Sequence, residues 1–402
     1  MFWQFIHIID IALWLLMAAS VVYILFFALV STLWKKRVSR LTRYLTGHVL
    51  SMRKKDFYSY LILYPAYNED RVIVNSVQKF LAQYYPYSCF HVAVISDHMQ
   101  PETNQKLSEL PITLLQPVFE KSSKAKAMQY AMDQIKDDYD FIVILDADNV
   151  VGSHFLEQLN TECAKGYKAI QCHRCAKNND NDIAVLDGVS EEINNTIFRK
   201  AHNRIGLSSA LIGSGMCFDF QWFKENVYKL TTAGEDRELE ALLLQQEVYI
   251  HYEPDIHVFD EKVSNKDNFQ KQRLRWMTAQ IQSLFRLLPY IPKAITTFNL
   301  DYIDKTIQQA LIPRSMLVVG ALGMSLLMTA FSLLFSLSWY IKWWCLFLAV
   351  CIALYIATPK QLRKHSVFGK ILALPKLVWK MAMNILKIDR KNTDFIHTSH
   401  NK

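Results

Sequence analysis

Two carboxylates stand two residues apart at the end of an apolar run, in Phe141-Ile-Val-Ile-Leu-Asp146-Ala147-Asp148-Asn149. Aspartates this close repel one another unless a cation lies between them. Hard divalent ions such as Mg²⁺ take one or two carboxylates together with substrate phosphates, so the pair reads as a site for a metal ion and a diphosphate. A strand that simply ends in an Asp-rich turn would carry the same residues. Further along, Gly234-Glu235-Asp236 puts two carboxylates at the start of a helix, where acids also serve as caps and complement the helix dipole. Gln272, Arg275 and Trp276 share an amphipathic stretch that continues to Leu288; an Arg beside a Trp near a membrane is commonly an interfacial anchor. Leu211 to Phe218 holds Gly213-Ser214-Gly215 inside an apolar run. Such glycines fit either a close approach of backbone to a ligand or a buried turn.

The elements that must hold these residues follow from the apolar pattern. Phe141 to Leu145 has the continuous Ile/Val content of a strand buried on both faces of a parallel sheet, and ligands gather at the carboxyl ends of such strands. Ser59 to Tyr64 reads as another strand, broken by Pro65-Ala66-Tyr67-Asn68-Glu69-Asp70 and followed by a helix carrying Val72, Val77, Phe80 and Leu81. His91 to Ile95 is a third, ended by Ser96-Asp97-His98, and a short strand is expected near Ile112 to Leu115. Lys121 to Met128 is polar and then helical, and Asp182 to Lys200 and Glu235 to Leu244 read as helices. Strands alternating with helices predict an α/β fold with a mainly parallel sheet. The sequence has no G-x-G-x-x-G and no Walker lysine loop, which argues against dinucleotide redox chemistry and against a P-loop phosphotransferase.

The chain has 402 residues, a net charge of +8 and 7 cysteines. That is room for one domain of roughly 200–250 residues plus further parts. Ile11 to Val30 carries no charged residue and meets the ~20 residues a bilayer span needs. Lys35, Lys36, Arg37, Arg40 and Arg43 follow it, which puts the N-terminus outside and those charges in the cytoplasm. A cleaved signal peptide would carry its charges ahead of a shorter apolar core. Ser315 to Leu337 and about Trp343 to Thr358 are two more spans, joined by an aromatic turn that holds Trp339, Tyr340 and Trp344. Lys305 and Arg314 precede them and Lys360, Arg363 and Lys364 follow, all read as cytoplasmic. These clusters account for most of the net charge, and no basic stripe marks a nucleic-acid surface. Cys172-His173-Arg174-Cys175 lacks the second pair that a zinc site needs, and a cytosolic face keeps thiols reduced. The basic stretch from Val38 to Lys55 and the lysine-rich tail from Val367 to Lys387, kinked at Pro375, are expected to lie on the membrane surface.

Taken in order, these motifs resemble the membrane-integrated family 2 glycosyltransferases, which include the cellulose, hyaluronan, chitin and poly-N-acetylglucosamine synthases. The resemblance runs from Tyr60 to Trp276 and includes the flanking spans. It rests on Pro65 to Glu69, Asp97, Lys124, Asp146-Ala147-Asp148, the Gly213-Ser214-Gly215 turn, Gly234-Glu235-Asp236, and Gln272-x-x-Arg275-Trp276. The chain departs from the pattern at His98, where a second aspartate is usual. It also has fewer spans than the larger synthases and no cyclic-dinucleotide domain.

What the resemblance implies is specific. The fold is GT-A, a Rossmann-like catalytic domain over residues 35–280. It is preceded by an anchor (1–34) and followed by amphipathic interfacial helices (281–312), two transmembrane helices (313–358) and a cytoplasmic tail (359–402). Asp148 with Asp146 would hold Mg²⁺ or Mn²⁺. Tyr67, Glu69, Asp97, Lys124 and Asp146 would contact the donor, a nucleotide-sugar for which family habit favours UDP over GDP. Asp236 would be the general base, with Glu235 beside it, and Arg275 would stabilise the leaving diphosphate. Gly213, Ser214, Gly215, Gln272 and Trp276 would face the acceptor, a glycan or a lipid-linked molecule. The setting would be surface, capsular or exopolysaccharide synthesis at the inner (cell) membrane. Partner secretion subunits or an oligomer stay open. Transfer of one sugar to a polyprenyl phosphate is the nearest alternative, but that group usually lacks Gln-x-x-Arg-Trp. An inactive scaffold of the same fold would tend to lose Asp148, Asp236 or Arg275, and all three are present.

Overall fold

The apolar runs become the centre of one sheet. In the computed structural model, which describes residues 2–34, 55–178, 181–232, 234–262, 266–335 and 339–363, the strands are β1 (Tyr60–Tyr67), β2 (Phe90–Asp97), β3 (Thr113–Leu115), β4 (Phe141–Ile144), β5 (Val150–Val151), β6 (Ala169–Ala176), β7 (Met216–Asp219) and β8 (Ile250–Asp260). Their order is β3-β2-β1-β4-β7-β6-β8-β5. β1, β2, β3 and β4 pair in parallel, as do β6 and β8, while β7 is antiparallel to both its neighbours and β5 to β8. The mainly parallel α/β sheet is as expected, and β6 and β8 extend it beyond what the sequence patterns showed. The two surface stretches expected around Val38–Lys55 and Val367–Lys387 lie almost wholly outside the described residues.

Alternation along β1 divides the core. Leu61 and Leu63 join Ile142 and Ile144 on one face, under Met128 and Ala131 of helix α4 (Lys124–Gln134). Tyr60, Ile62 and Tyr64 join Phe141 and Val143 on the other face, under Val77 and Phe80 of α2 (Ile73–Leu81) and Leu156 and Leu159 of α5 (Phe155–Cys163). Helix α3 (Pro101–Ser108) links β2 to β3.

Pro65 does not break β1; the strand runs through it to Tyr67. The Leu63 carbonyl accepts from Leu145 N, so Leu63, and by alternation Pro65, face the β4 side. β4 pairs with β1 only as far as Leu63. The amide hydrogen that proline lacks would have had no ladder partner there. The result is that Tyr67 stays in register with Asp97, and both reach the same end of the sheet.

Helix α6 (Asp182–Asn194) runs on through a π-helical stretch, Asn195–Ala201, and α7 (Phe220–Asn226) follows β7. α8 (Glu235–Gln245) precedes β8, and α9 (Lys266–Leu287), α10 (Ile291–Thr296) and α11 (Leu300–Ala310) follow it. Among the described residues, three helices are long and apolar enough to cross a membrane: α1 (Phe2–Leu33), α12 (Arg314–Phe335) and α13 (Tyr340–Ala357). They share a core with Val189 and Ile193 of α6, so the helix that follows the sheet is also the seat of the apolar bundle. At the far end, Asp10 of α1 is bound by Lys342 and by the Trp343 indole, at 2.7 Å for the indole. Lys305 is not a surface charge beside the membrane. It is buried in α11 against Glu240, because a lone buried carboxylate there needs a cation.

Candidate active site

The carboxyl ends of β1, β2 and β4 open on a cavity of about 840 Å³. It is lined by Tyr67, Glu69, Asp97, Lys124, Asp146, Asp148, Gly213, Glu235, Asp236, Gln272, Arg275 and Trp276. Residues from motifs some two hundred positions apart therefore meet on one surface.

Lys124 stands at the centre. Ser123 caps α4 by accepting from Lys126 N at 3.2 Å, which sets Lys124 on the first turn. Its ammonium donates to Asp146 Oδ1 and to the Gly213 carbonyl (2.6 Å), and lies 3.6 Å from Glu235 Oε1. Burial opposes the charge, but Asp146 and Glu235 outweigh it and raise the Lys124 pKa above its usual value. One cation thus ties together the Asp-x-Asp turn, the glycine turn and the acidic helix start.

Asn149 organises the aspartates. Its Oδ1 accepts from Asp146 N (3.0 Å) and from the Ser214 hydroxyl. Its amide donates to Asp148 Oδ1 (3.1 Å) and Asp260 Oδ1 (3.3 Å). Asp148 Oδ2 accepts from Glu261 N at 2.8 Å, so the end of β8 closes on the Asp-x-Asp turn. Asp260 also meets Lys262 at 2.8 Å and Arg174 at 3.7 Å. Sequence reasoning missed Asn149, Asp260, Lys262 and Arg174. The signal for Asp260 was present in Ile256-His-Val-Phe-Asp260, an alternating run that ends in a carboxylate, as the Asp146 run does.

At the other side, Glu235 and Asp236 begin α8. Burial pushes the Glu235 carboxyl up to about 7, against the pull of Lys124 and with Asp236 and Asp146 adding to the rise. Asp236 Oδ1 accepts from Arg237 N at 2.8 Å. Gly213 has φ +78°, and a Cβ there would stand 3.8 Å from both Asp236 Oδ2 and Glu235 Oε1. The backbone of the glycine turn therefore lies directly beside both carboxylates.

Gly213 lines the cavity, but Ser214 and Gly215 do not. Ser214 is fully buried, its hydroxyl committed to Asn149. Gly215, at φ +64°, leaves no room for a Cβ, which would fall 2.9 Å from Val258 Cγ2. These two residues shape the turn from behind. On α9, the Gln272 side-chain oxygen is buried with no hydrogen-bond partner among the described residues, and the Arg273 guanidinium lies 4.6 Å from the centre of the Trp276 ring while pairing with Asp187 at 2.6 Å. At the β1–β2 end, Tyr67 and His98 rings stand 5.3 Å apart, and His98 Nδ1 is 2.6 Å from Asp97 Oδ1. His98 adopts φ 56°, an uncommon conformation for a side-chain-bearing residue, which folds the imidazole back on Asp97.

A second acidic cluster, Glu162, His251 and Glu253, brings its ligand-type atoms within 4.8 Å of one another. None of the three lines the cavity.

Two solved structures cover most of the chain at low similarity. A mannosyltransferase from Pyrobaculum calidifontis, in complex with GDP-Man and Mn²⁺, is 15% identical over 85% of this chain and 98% of that one, with a TM-score of 0.46. S. aureus TarS 1-349 is 11% identical over 84% and 94%, also with a TM-score of 0.46. No curated protein matches the chain. A family model described as "Glycosyltransferase like family 2" matches residues 59–279. That stretch is more than half of the 402 residues and begins and ends with the elements that line the cavity, so the chain belongs to the family 2 glycosyltransferases and is an enzyme with a GT-A fold.

Proposed function

We propose that this enzyme transfers a sugar from a nucleotide-sugar, preferably a UDP-sugar, to a glycan or lipid-linked acceptor at a membrane, with inversion at the anomeric carbon. The observation that carries this reading is Lys124 bonded to Asp146 and Gly213 and close to Glu235 within one cavity. It joins the side that would hold a diphosphate to the side that would hold an acceptor.

The acceptor hydroxyl attacks the anomeric carbon from the face opposite the diphosphate. The bond to the diphosphate oxygen breaks, the nucleoside diphosphate departs, and Asp236 takes the hydroxyl proton, an effect of ~10²–10⁴-fold. Lys124 and Arg275 supply fixed positive charge as the leaving group gains negative charge. Tyr67 and Asp97 would face the base, Tyr67 by stacking. Asp97 already has one oxygen at hydrogen-bonding distance from His98, leaving the other for the base. Gln272, with its unpartnered oxygen, suits a hydroxyl of the acceptor sugar, and Trp276 offers it the ring face not covered by Arg273.

Asp146, Asp148 and Asp260, gathered around Asn149, form the all-oxygen donor set that a hard divalent cation takes. Mg²⁺ or Mn²⁺ fits Asp148 and Asp146. When bound, such an ion acts as a Lewis acid on the diphosphate. The three apolar helices would place the catalytic domain against the cytoplasmic leaflet, with the N-terminus outside, in surface or exopolysaccharide synthesis.

The test is release of UDP from a panel of UDP-sugars, with Mn²⁺ and purified full-length protein. Turnover with at least one sugar, lost without a divalent ion, is the expected result. Release from GDP-sugars alone would overturn the choice of UDP, and no release from either set would overturn the activity.

A further inference from the structure

The cavity does not stop at Trp276. It continues past Ile312 and Arg314 into the apolar bundle, where Ile24, Val318, Val319, Leu354 and Tyr355 line it. Tyr355 is 49% exposed, so this end opens sideways onto the surface that faces lipid. The intrusion is shallow. From Arg314 to Val319 is ~8 Å of helix, far short of the ~30 Å a through-channel must cross. It has the form of a side pocket for a chain end rather than a conduit for a growing polymer.

The donor end carries both signs, with Asp97, Asp146, Asp148, Glu235 and Asp236 beside Lys124, Arg174 and Lys262; on α12 and in the turn after α13 the charged lining residues are Arg314 and Arg363. Arg314 donates to the Ser190 carbonyl (3.1 Å) and hydroxyl (3.2 Å), and no carboxylate lies within ion-pair distance among the described residues. Arg363 donates to the carbonyls of Thr358 (2.8 Å) and Ile356 (2.9 Å) and lies over the Tyr355 ring. Guanidinium groups at the edge of an apolar bundle that are bonded only to backbone and hydroxyl oxygens are costly. They are also the groups best shaped to hold a phosphate through two parallel hydrogen bonds.

We infer that the acceptor is carried on a lipid phosphate, whose apolar chain enters between α12 and α13 and whose phosphate is held at Arg314 and Arg363. This rests on the reading of the cavity as a glycosyl-transfer site. The phosphate is a handle; the nucleophile remains the hydroxyl presented to Asp236.

The experiment uses full-length protein in neutral-lipid nanodiscs, titrated with dodecyl phosphate, dodecanol, ethyl phosphate and inorganic phosphate, followed by tryptophan fluorescence. Dodecyl phosphate should bind at least ~10-fold more tightly than each of the other three, since only it offers both chain and charge. Arg314→Gln and Arg363→Gln should each weaken it ~10-fold or more, while UDP binding by calorimetry stays unchanged. Equal binding of dodecanol, or an unchanged affinity in both variants, would overturn the phosphate site. Equal binding of inorganic or ethyl phosphate would make it a site for free anions and overturn the lipid. The probe comparison in the wild-type protein decides the matter even if a variant misfolds. Loss of UDP binding in the wild type would instead count against the glycosyl-transfer reading.

Discussion

Two clusters of acidic side chains occupy the catalytic domain, and they differ in how their charge is balanced. Glu162 and Glu253 hold His251 between them, at 3.5 and 3.3 Å, and Lys165 binds Glu162 at 2.6 Å. The His251 ring is stacked on Tyr167 at 3.9 Å. Burial works against the Glu162 carboxylate, but His251 and Lys165 more than compensate and bring its pKa down to about 2. The protein itself supplies the positive charge. Around Asn149 the aspartates line an open cavity, and Lys124 must serve both Asp146 and Glu235. Glu235 is held at about 7, first by burial, with Asp236 and Asp146 adding to the rise against the pull of Lys124. Three ligand-type residues in contact therefore do not by themselves mark a metal site. Carboxylates that line an open cavity are the better guide, and Asp146 and Asp148 line one while Glu162 does not.

The largest effect expected from this difference is on turnover. Asp148→Asn should reduce sugar transfer by ~10³-fold or more, because it removes charge that would hold the cation against the diphosphate. Glu162→Gln should leave turnover within about threefold and act on stability instead. Comparable losses in both would erase the distinction.

Next in size is the division between Asp236 and Arg275. Asp236→Asn should slow turnover ~10²–10⁴-fold and leave UDP affinity nearly intact. Arg275→Ala should lower both, since the product carries the charge that grows in the transition state. Calorimetry with UDP separates them, and weakened UDP binding in Asp236→Asn alone would reverse the two roles.

The clusters should also respond oppositely to pH. Glu235 has a pKa raised from 4.5 to about 7, so its contribution to stability is complete below pH 4.5 and is lost as pH rises through 7. Glu162 is lowered from 4.5 to about 2, so its contribution is present above 4.5 and is lost as pH falls toward 2. Glu235→Gln should flatten the melting-temperature profile between pH 4.5 and 7, and Glu162→Gln between 2 and 4.5. A profile altered in the same window by both would show that the two charges are not balanced as described.

Smaller still is the contrast within the glycine turn. Gly213→Ala costs ~1 kcal/mol from its positive φ, with only ordinary contacts for the new methyl at 3.8 Å. Gly215→Ala adds an overlap with Val258 at 2.9 Å and should lower the melting temperature further. Equal melting temperatures would mean that Val258 moves aside freely.

The sequence made the charged residues that meet at the cavity legible through their type and spacing. Asp146, Asp148, Lys124, Glu235 and Arg275 were visible because each carries a charge next to an apolar pattern that sets its place in the fold. Asp260 was not, because β8 alternates polar and apolar residues and its parallel partner β6 lies some eighty positions earlier. Ser214 looked like a ligand contact, and only the position of Asn149 shows its hydroxyl turned inward. Lys305 looked like a membrane-edge charge, since a lysine ahead of an apolar helix reads the same whether it is solvated or paired with Glu240. Pro65 looked like a strand breaker until the short length of β4 showed that its missing amide hydrogen had no partner.

The most direct measurement is Mn²⁺ binding by electron paramagnetic resonance, in the presence of UDP, for the wild type, Asp148→Asn and His251→Gln. The account predicts one tight ion in the wild type and in His251→Gln, and its loss in Asp148→Asn. Loss in His251→Gln with Asp148→Asn unaffected would contradict it, and would place the cation in the buried cluster instead.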